Sequence, residues 1–509
     1  MASELRTESA SVDKKRSTDD IDINTTSNGE SRVTDIGTGA TSKLERNFNV
    51  WSLLFMSFCT SVTWEAVSSA AAQALTSGGS SSFVWGFAAS ALGAFAVGLC
   101  ISEYSSMIPT AGGQHHYVAE LAPPKYRRVL SWYTGWVTIF GWIFCATAGI
   151  FATAMQIQSW AILFSEGYTY ERWHTSLIKR LHYMMFAAMF CHVVGYFATS
   201  IYLLVHVYPK NTAEYVFQDF TNLSGWESPG IAWSIGLMSS AIGFVGWDSS
   251  AHLAEEMVNV SRDLPRTMIA NIGVSGLLTF PWVIAVAFCM TDIQGMVTGP
   301  VGTISPFAQL YYNVSGGSQA VTIGMTCILP VMGFLGTGAS VISATSRIIW
   351  AFARDGALPR SLAGVSDQQK VPVRALIATC ATISALSLTY IGNSTAYYGI
   401  SSACTVMLLI SYGIPTLINS LCGFKHCSVP RGVFTLGRLH RPVAIFASAW
   451  VGYLVIFFCF PTTLPITAET MNYAVVFLAF WIVVATATWF TYGRTKFSGL
   501  PSEIFDELN

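Results

Sequence analysis

Residues 129–164 read VLSWYTGWVTIFGWIFCATAGIFATAMQIQSWAILF, a run without a single Asp, Glu, Lys, Arg or His. About 20 apolar residues in a helix cross the roughly 30 Å hydrocarbon core of a bilayer. This run therefore predicts a membrane-spanning helix that is tilted or extends beyond the bilayer. The 509-residue chain is 52% hydrophobic and 11% charged, whereas soluble domains carry about 25% charged residues. The sequence predicts an all-α polytopic membrane protein.

Apolar stretches on both sides of this run complete a prediction of eleven spans. They lie near residues 50–76, 83–107, 181–207, 231–254, 268–291, 319–350, 374–392, 396–421, 443–460 and 471–491. Residues 1–46 are polar and too poor in apolar side chains to fold, so we expect a disordered cytosolic tail there. We expect the transmembrane domain at 47–493 and a short cytosolic tail at 494–509.

The charges of the loops conflict with this number of spans. The positive-inside rule favours a cytosolic N-terminus, and the third span then ends outside near Phe164. Lys179 and Arg180, which precede the fourth span, instead favour the inside, and that span leads to an acidic loop at 208–230. Residues 165–180 are too few to cross the membrane. Either the topology is unusual, or one helix has been lost from the sequence.

Composition and motifs exclude several classes of function. The formal net charge of −1 gives no basic field for nucleic acid. The eleven Cys are scattered through apolar runs without metal-ligand spacing, so we interpret them as packing residues. There is no HExxH or GxSxG pattern, and we expect neither an enzyme nor a cofactor.

The stretch SFCTSVTWEAVSSAAAQALTSGG, Ser57–Gly79, has a centre rich in hydroxyl and small side chains. A broken helix here would expose backbone groups, which survive in a membrane only beside a cavity. The amides of Thr60, Ser61, Val62 and Thr63 would suit a substrate carboxylate; alternatively, the stretch is a helix-packing face. Glu65 is either a proton or cation site or a structural hydrogen-bonding residue.

A second stretch, SSAIGFVGWDSSAHLAEEMVNVSRDLPRTM at 239–268, predicts another helix break in mid-membrane. Gly243 and Gly246 flank Phe244, and broken helices in corresponding positions of two halves mark a transporter site. Asp248 and His252 follow one helical turn apart. The charged residues after them are expected to form a cytosolic collar: Glu255, Glu256, Arg262, Asp263 and Arg266.

Two further motifs flank the predicted cytosolic side. In SEYSSMIPTAGGQHHYVAEL, residues 102–121, Pro109 ends the span and HHYVAEL is predicted to be amphipathic against the cytosolic face. We expect His115 and His116 to be ordinary interfacial residues. In ATSRIIWAFARDGALPRSLAGV, residues 344–365, the arginines are adequately explained as a positive-inside anchor.

Together with PTTLPITAETMNYA at 461–474, these motifs resemble the fungal amino acid/choline transporter branch of the amino acid–polyamine–organocation superfamily, over about 47–499. The resemblance implies twelve spans, the first ten forming two inverted five-helix repeats, with substrate held between the broken first and sixth helices. It places Thr60, Ser61, Val62 and Thr63 at a substrate carboxylate. It places Gly243, Phe244, Val245 and Gly246 on the opposite wall, with Phe244 as an aromatic lid. The chain lacks the Gly-rich first-helix turn of many members.

The resemblance also locates the missing span at the family's fourth helix, after Ile178, and a deletion in the gene model or in splicing explains it. The leading hypothesis is a proton-driven secondary active permease for an amino acid or small amine such as GABA or choline. Glu65 and Asp248 are the candidate coupling or gating residues. We expect a multi-pass protein of the plasma membrane, with protons, lipid and a small solute as its partners. The alternatives are a non-transporting nutrient receptor and an inactive truncated isoform.

Overall fold

The computed structural model describes residues 44, 48–164, 185–302, 304–392, 395–468 and 470–499. Helices dominate this part of the chain. They are α1 (Val50–Ser61), α2 (Thr63–Ser69), α3 (Ala71–Thr76), α4 (Gly79–Met107), α5 (Gln114–Leu121), α6 (Arg127–Phe164), α7 (Met185–His206), α8 (Ala213–Phe217), α9 (Pro229–Gly236), α10 (Met238–Ala241), α11 (Val260–Cys289), α12 (Ile293–Thr298), α13 (Pro306–Val314), α14 (Gln319–Thr326), α15 (Ile328–Met332), α16 (Ala339–Arg354), α17 (Val373–Gly392), α18 (Thr395–Cys422), α19 (His440–Phe457), α20 (Ala474–Thr488) and α21 (Arg494–Lys496). The predicted tail at 1–46 lies outside the described residues, apart from Leu44.

Short irregular elements connect or interrupt these helices. Turns of 3-10 helix cover Ile242–Phe244, Trp247–Glu256, Arg360–Ala363 and Gly437–Leu439, and π-helical turns cover Gly333–Gly338 and Trp489–Gly493. Two-residue strands β1 (Ser77–Gly78) and β2 (Thr221–Asn222) pair antiparallel. Each apolar stretch predicted from the sequence contains helix, but several are composite, because backbone irregularities divide them.

Nine of the helical segments in the described residues are long and apolar enough to cross a membrane. They are Val50–Thr76, Gly79–Met107, Arg127–Leu163, Met189–His206, Pro229–Glu256, Val260–Cys289, Gly399–Cys422, Gly437–Phe457 and Ala474–Lys496. Gln319–Met332 and Val373–Leu388 are shorter apolar helices at the two remaining predicted positions. The chain is therefore a polytopic helical membrane protein, and the number of crossings stays a prediction.

The loops separate by charge into two faces of the molecule. On one face, which we call the basic face, Arg127 donates to the carbonyl of His426 and Arg128 to that of Phe497, so the chain segments that contain these residues meet there. The opposite face, which we call the acidic face, carries Glu214 and Asp219 in the segment 208–228. The β1–β2 pair joins the end of the first span to this acidic segment.

Helices α6 and α7, consecutive in the described part of the chain, run in the same direction. Near the end of α6, the Gln156 side chain accepts a hydrogen bond from Ser305 Oγ at 2.9 Å. In the second half of α7, the carbonyl of Thr199 accepts one from Tyr311 at 3.1 Å. Both helices thus end beside α13, near the acidic face. Because one span is missing, we expect residues 165–180 to be stretched between these helices; these residues lie outside the described ones.

The core forms where long helices pack side by side, with α4 on α11 and α6 on α18 making the most extensive contacts. Near the basic face, Trp132 of α6 is fully buried and lies 5.2 Å from Phe497, centroid to centroid. Phe497 is itself buried, so packing continues past residue 493, where the sequence predicted the C-terminal tail to begin. This aromatic packing lies on the same face as the basic loops.

Candidate functional site

The first span is broken at Val62, which is one of the two alternatives that the residues left open and the one that the resemblance implied. Val62 has φ 36° and ψ 50°, in the left-handed region, between the end of α1 and the start of α2. The hydrogen bonds described for the chain include none from the backbone amides of Thr63, Trp64 and Glu65. Such amides carry partial positive charge, so the break can receive an anionic or carbonyl group.

A second break interrupts the span that begins with α9. Val245 is extended, with φ −110° and ψ 156°, and Gly246 follows with φ 77°, a value that glycine adopts without strain. Thr63 Oγ1 donates a hydrogen bond to the carbonyl of Gly243 at 3.0 Å. The two breaks, 180 residues apart in sequence, therefore touch each other.

A cavity of about 150 Å³ lies beside the breaks. Of the predicted substrate-binding residues, Thr60, Ser61, Val62 and Val245 line it, and so does Glu65. Its wall also includes Gln73, Gln156 and Ser305, so the cavity extends from the breaks toward the acidic face. Thr63, Gly243, Phe244, Gly246 and Asp248 lie outside the described lining. The site is thus a small chamber in the acidic-face half of the molecule.

Glu65 has a partner that the sequence analysis did not identify. His192 Nδ1 of α7 lies 2.6 Å from Glu65 Oε1, and the side chains are 15% and 4% exposed. Glu65 Oε2 is buried and has no hydrogen-bond partner. A histidine within an apolar span is itself a functional signal, which the sequence analysis could have used. The pair connects the broken span to α7 and leaves one carboxylate oxygen unpaired.

Asp248 follows Gly246 of the second break by two residues and lies at the centre of a buried hydrogen-bond network. Tyr412 OH donates to Asp248 Oδ1 at 2.6 Å, and Gln114 Nε2 donates to Oδ2 at 2.5 Å. His252 Nε2 is 3.3 Å from the same Oδ2. The amide of Gly246 donates to Tyr412 OH at 3.2 Å. Asp248 therefore joins α18, α5 and the backbone of the second break.

The predicted charged collar forms ion pairs with α16. Arg347 Nε lies 2.8 Å from Glu256, and Arg354 Nη1 lies 2.9 Å from Glu255. Both glutamates end the 3-10 segment Trp247–Glu256. The arginines that the sequence analysis treated as a simple anchor therefore join the second broken span to α16.

Phe244 is buried, 4% exposed, with its ring centroid 5.2 Å from that of Phe87. It lines a second, very small cavity together with Trp247 and Tyr412. A lid over the chamber would require this ring to leave its place against Phe87. In the arrangement described here the chamber is not covered by Phe244.

The prediction that His115 and His116 are interfacial is wrong. All eight residues of α5 are buried, because α5 packs against α6 and α18 instead of lying on the surface. Both Nε2 atoms contact Asp355 Oδ2, at 2.8 and 2.7 Å. Burial first, and the charge of His116 second, lower the pKa of His115 to about 4. His115 is thus neutral at pH 7 and donates one N–H to Asp355.

Chemically, the arrangement suits binding and release of a small solute. The chamber offers a carboxylate, hydroxyl groups and free backbone amides between apolar walls, and the contacts on its basic side can be broken without covalent change. All eleven cysteines are free thiols. The described residues hold no pairing of nucleophile and base in the chamber wall.

The sequence model of the amino acid permease family matches residues 48–483. Among curated proteins, the choline transporter of Saccharomyces cerevisiae is 28% identical over 475 residues, covering 90% of this chain and 83% of that protein. A putative amino acid/polyamine transporter of Macrophomina phaseolina is 30% identical over 441 residues, covering 83% of this chain and 96% of that protein. The amino-acid permease BAT1 of Arabidopsis thaliana is 27% identical over 509 residues, covering 94% and 97%.

Proposed function

The chain belongs to the amino acid permease family, and on that premise we propose that it is a proton-driven secondary active permease that imports a small amino acid or amine. Membership makes it a membrane transporter of small molecules and not an enzyme. The proposal adds the direction of transport, the proton coupling, a plasma-membrane location and a cytosolic N-terminus. The observation that carries it is the contact between the two helix breaks beside the chamber.

The proposed cycle is alternating access around this chamber. A solute enters from the acidic face, its carboxylate or carbonyl group meeting the free amides after Val62. Breaking the Glu255–Arg354 and Glu256–Arg347 pairs then frees the 3-10 segment and opens the basic side. The proposed site comprises Thr60, Ser61, Val62 and Val245 in the chamber lining, with Thr63, Gly243, Phe244 and Gly246 beside that lining at the two breaks. Glu65 and Asp248 are the proposed proton-coupling residues.

Accumulation of solute separates this proposal from its main rival. A nutrient receptor that only binds is compatible with the same chamber, and so is an inactive truncated isoform. Uptake of radiolabelled amino acids, GABA and choline into a permease-deficient host, with and without a proton uncoupler, distinguishes them. Uncoupler-sensitive accumulation supports the permease. Binding without accumulation supports the receptor, and the absence of both supports the inactive isoform.

A further inference from the structure

We propose that Glu65 is the counter-ion for the protonated amino group of the substrate, and that the chamber prefers an ammonium group bearing N–H donors to a quaternary ammonium group. This inference rests on the proposed function, because it names the chemical class of solute at the same site. His192 is the positioning residue that orients the carboxylate.

The charge of the chamber favours a cation. Glu65 is the one ionisable carboxylate among its described lining residues, and none of those residues is Lys, Arg or His. Within the described residues, the titratable neighbours of the Glu65–His192 pair are thiols and a phenol: Cys59, Cys191, Cys327 and Tyr196. None of these side chains is a basic group, so His192 is the one basic group described beside Glu65.

The hydrogen-bonding capacity of the wall favours N–H donors. Glu65 Oε2 and Gln73 Oε1 are both buried acceptors without a partner, and both residues line the chamber. A buried acceptor left unpaired lacks the hydrogen bonds that water would give it and is therefore destabilising. An ammonium group with three N–H bonds can satisfy Glu65 Oε2 directly, whereas a trimethylammonium group has no N–H to offer.

The composition of the wall disfavours a quaternary ammonium group for a second reason. Proteins bind choline-like groups in aromatic cages, where the cation faces several rings. The described lining of the chamber contains no Phe, Tyr or Trp, and Phe244 packs on Phe87 instead. A cavity of about 150 Å³ is the size that accepts benzene elsewhere, so the solute is small.

A methylation series at constant charge tests the inference. Ethanolamine, its N-methyl and N,N-dimethyl derivatives and choline are titrated into the purified full-length protein in detergent, with affinity measured by calorimetry. We expect affinity to fall with each lost N–H and at least about tenfold across the series, the ratio expected when one charge-assisted hydrogen bond is lost. Equal or tighter binding of choline overturns the inference.

Matched variants assign the effect to the carboxylate. Glu65→Gln should lower the affinity for ethanolamine at least about tenfold, whereas Glu214→Gln, an exposed acid on the acidic face, should leave it unchanged. His192→Gln keeps a donor toward Glu65 and should preserve the order of the series, while His192→Leu should flatten it. If His192→Leu keeps the order, His192 has no positioning role. If Glu65→Gln does not fold, the series on the unaltered protein still decides.

The outcomes for binding and for transport are separable. Binding in the expected order without accumulation of any solute in vesicles supports this inference and contradicts the proposed function. Accumulation of a solute that lacks an amino group, with no binding of ethanolamine or GABA, contradicts this inference and supports the proposed function. In that case the permease stands and Glu65 is not a counter-ion.

Discussion

Single side chains in this protein act across large sequence distances, and Tyr412 is a clear instance. Its hydroxyl donates to Asp248 Oδ1 and accepts from the Gly246 amide, so one oxygen joins α18 to the second helix break. All three groups are buried. Water cannot replace these hydrogen bonds without opening the core. Removal of the hydroxyl should therefore destabilise the protein although only one atom is lost.

Tyr412→Phe removes that hydroxyl and leaves two buried partners unpaired. We expect a loss of about 1–3 kcal/mol in the free energy of unfolding together with slower uptake, measured by thermal unfolding and radiolabelled transport. Tyr473→Phe is the control, since its hydroxyl donates to Ala468 near the surface. Equal behaviour of the two variants would contradict the assigned role of the network.

Phe244→Ala tests the proposed lid. If occlusion requires this ring to move from Phe87 over the chamber, the variant should reach the membrane and transport poorly. Surface labelling checks insertion and uptake kinetics check transport. Phe87→Leu keeps an apolar side chain in contact with the Phe244 ring. This variant is expected to transport better than Phe244→Ala. Wild-type kinetics in Phe244→Ala would remove the lid from the mechanism.

Glu65→Gln tests proton coupling separately from substrate binding. If the carboxylate exchanges protons during transport, uptake should fall or lose its dependence on external pH. Uptake rates measured across a pH series at saturating substrate separate this effect from weaker binding. With normal expression, an unchanged pH profile would leave Glu65 without a coupling role.

The helices around the site end at positions where the backbone leaves the helical conformation. The first span divides at Val62, a β-branched residue with positive φ and therefore a strained one. This chain lacks the Gly-rich turn that the resemblance implies for many members, and Val62 is instead held by surrounding contacts, including that of Thr63 with Gly243.

Val62→Gly and Val67→Gly make the same chemical change in two backbone settings. Val67 is buried within α2, where glycine loses packing and gains unfolded-state entropy. Val62 is also buried, but glycine relieves its strain. We expect Val62→Gly to be the less destabilising variant by about 1–3 kcal/mol, measured by thermal unfolding. Equal losses would mean that Val62 carries no strain.

For the whole molecule, the direction of α6 and α7 is the unusual property. Two consecutive helices of the described chain end at the acidic face, and α7 leaves apolar side chains uncovered, with Phe190 70% and Phe197 56% exposed. By their number, residues 165–180 are too few for a helix that spans the membrane. Inverting all later loops would misplace a dozen basic residues, at roughly 1 kcal/mol or more each.

We therefore predict that this chain transports poorly, at a low but measurable rate to which the variants above are compared. About 25 apolar residues inserted after Ile178, a length that forms one helical span, should raise that rate. A Gly/Ser insertion of equal length should not raise it. Uptake in a permease-deficient host measures the difference. Robust uptake by the chain without any insertion would show that the parity argument is wrong.

Particular residues show which parts of the fold and of the site the sequence predicted and which it did not. The apolar runs predicted where helices lie, since composition sets what a bilayer accepts, and Gly243 and Gly246 marked the second break. The partner of Glu65 was missed, because His192 is 127 residues away and no local pattern encodes that contact. His115 was misplaced for the same reason, since Asp355, 240 residues away, joins it in the interior.

The 3-10 winding of Trp247–Glu256 has a consequence for length. Ten residues rise about 20 Å in a 3-10 helix and about 15 Å in an α-helix. Rewinding this segment would shorten it by about 5 Å without a hinge. Because Glu255 and Glu256 stand at its far end, such a change in pitch would pull both from their arginines together. One local transition would thus break both ion pairs to α16 in a single step.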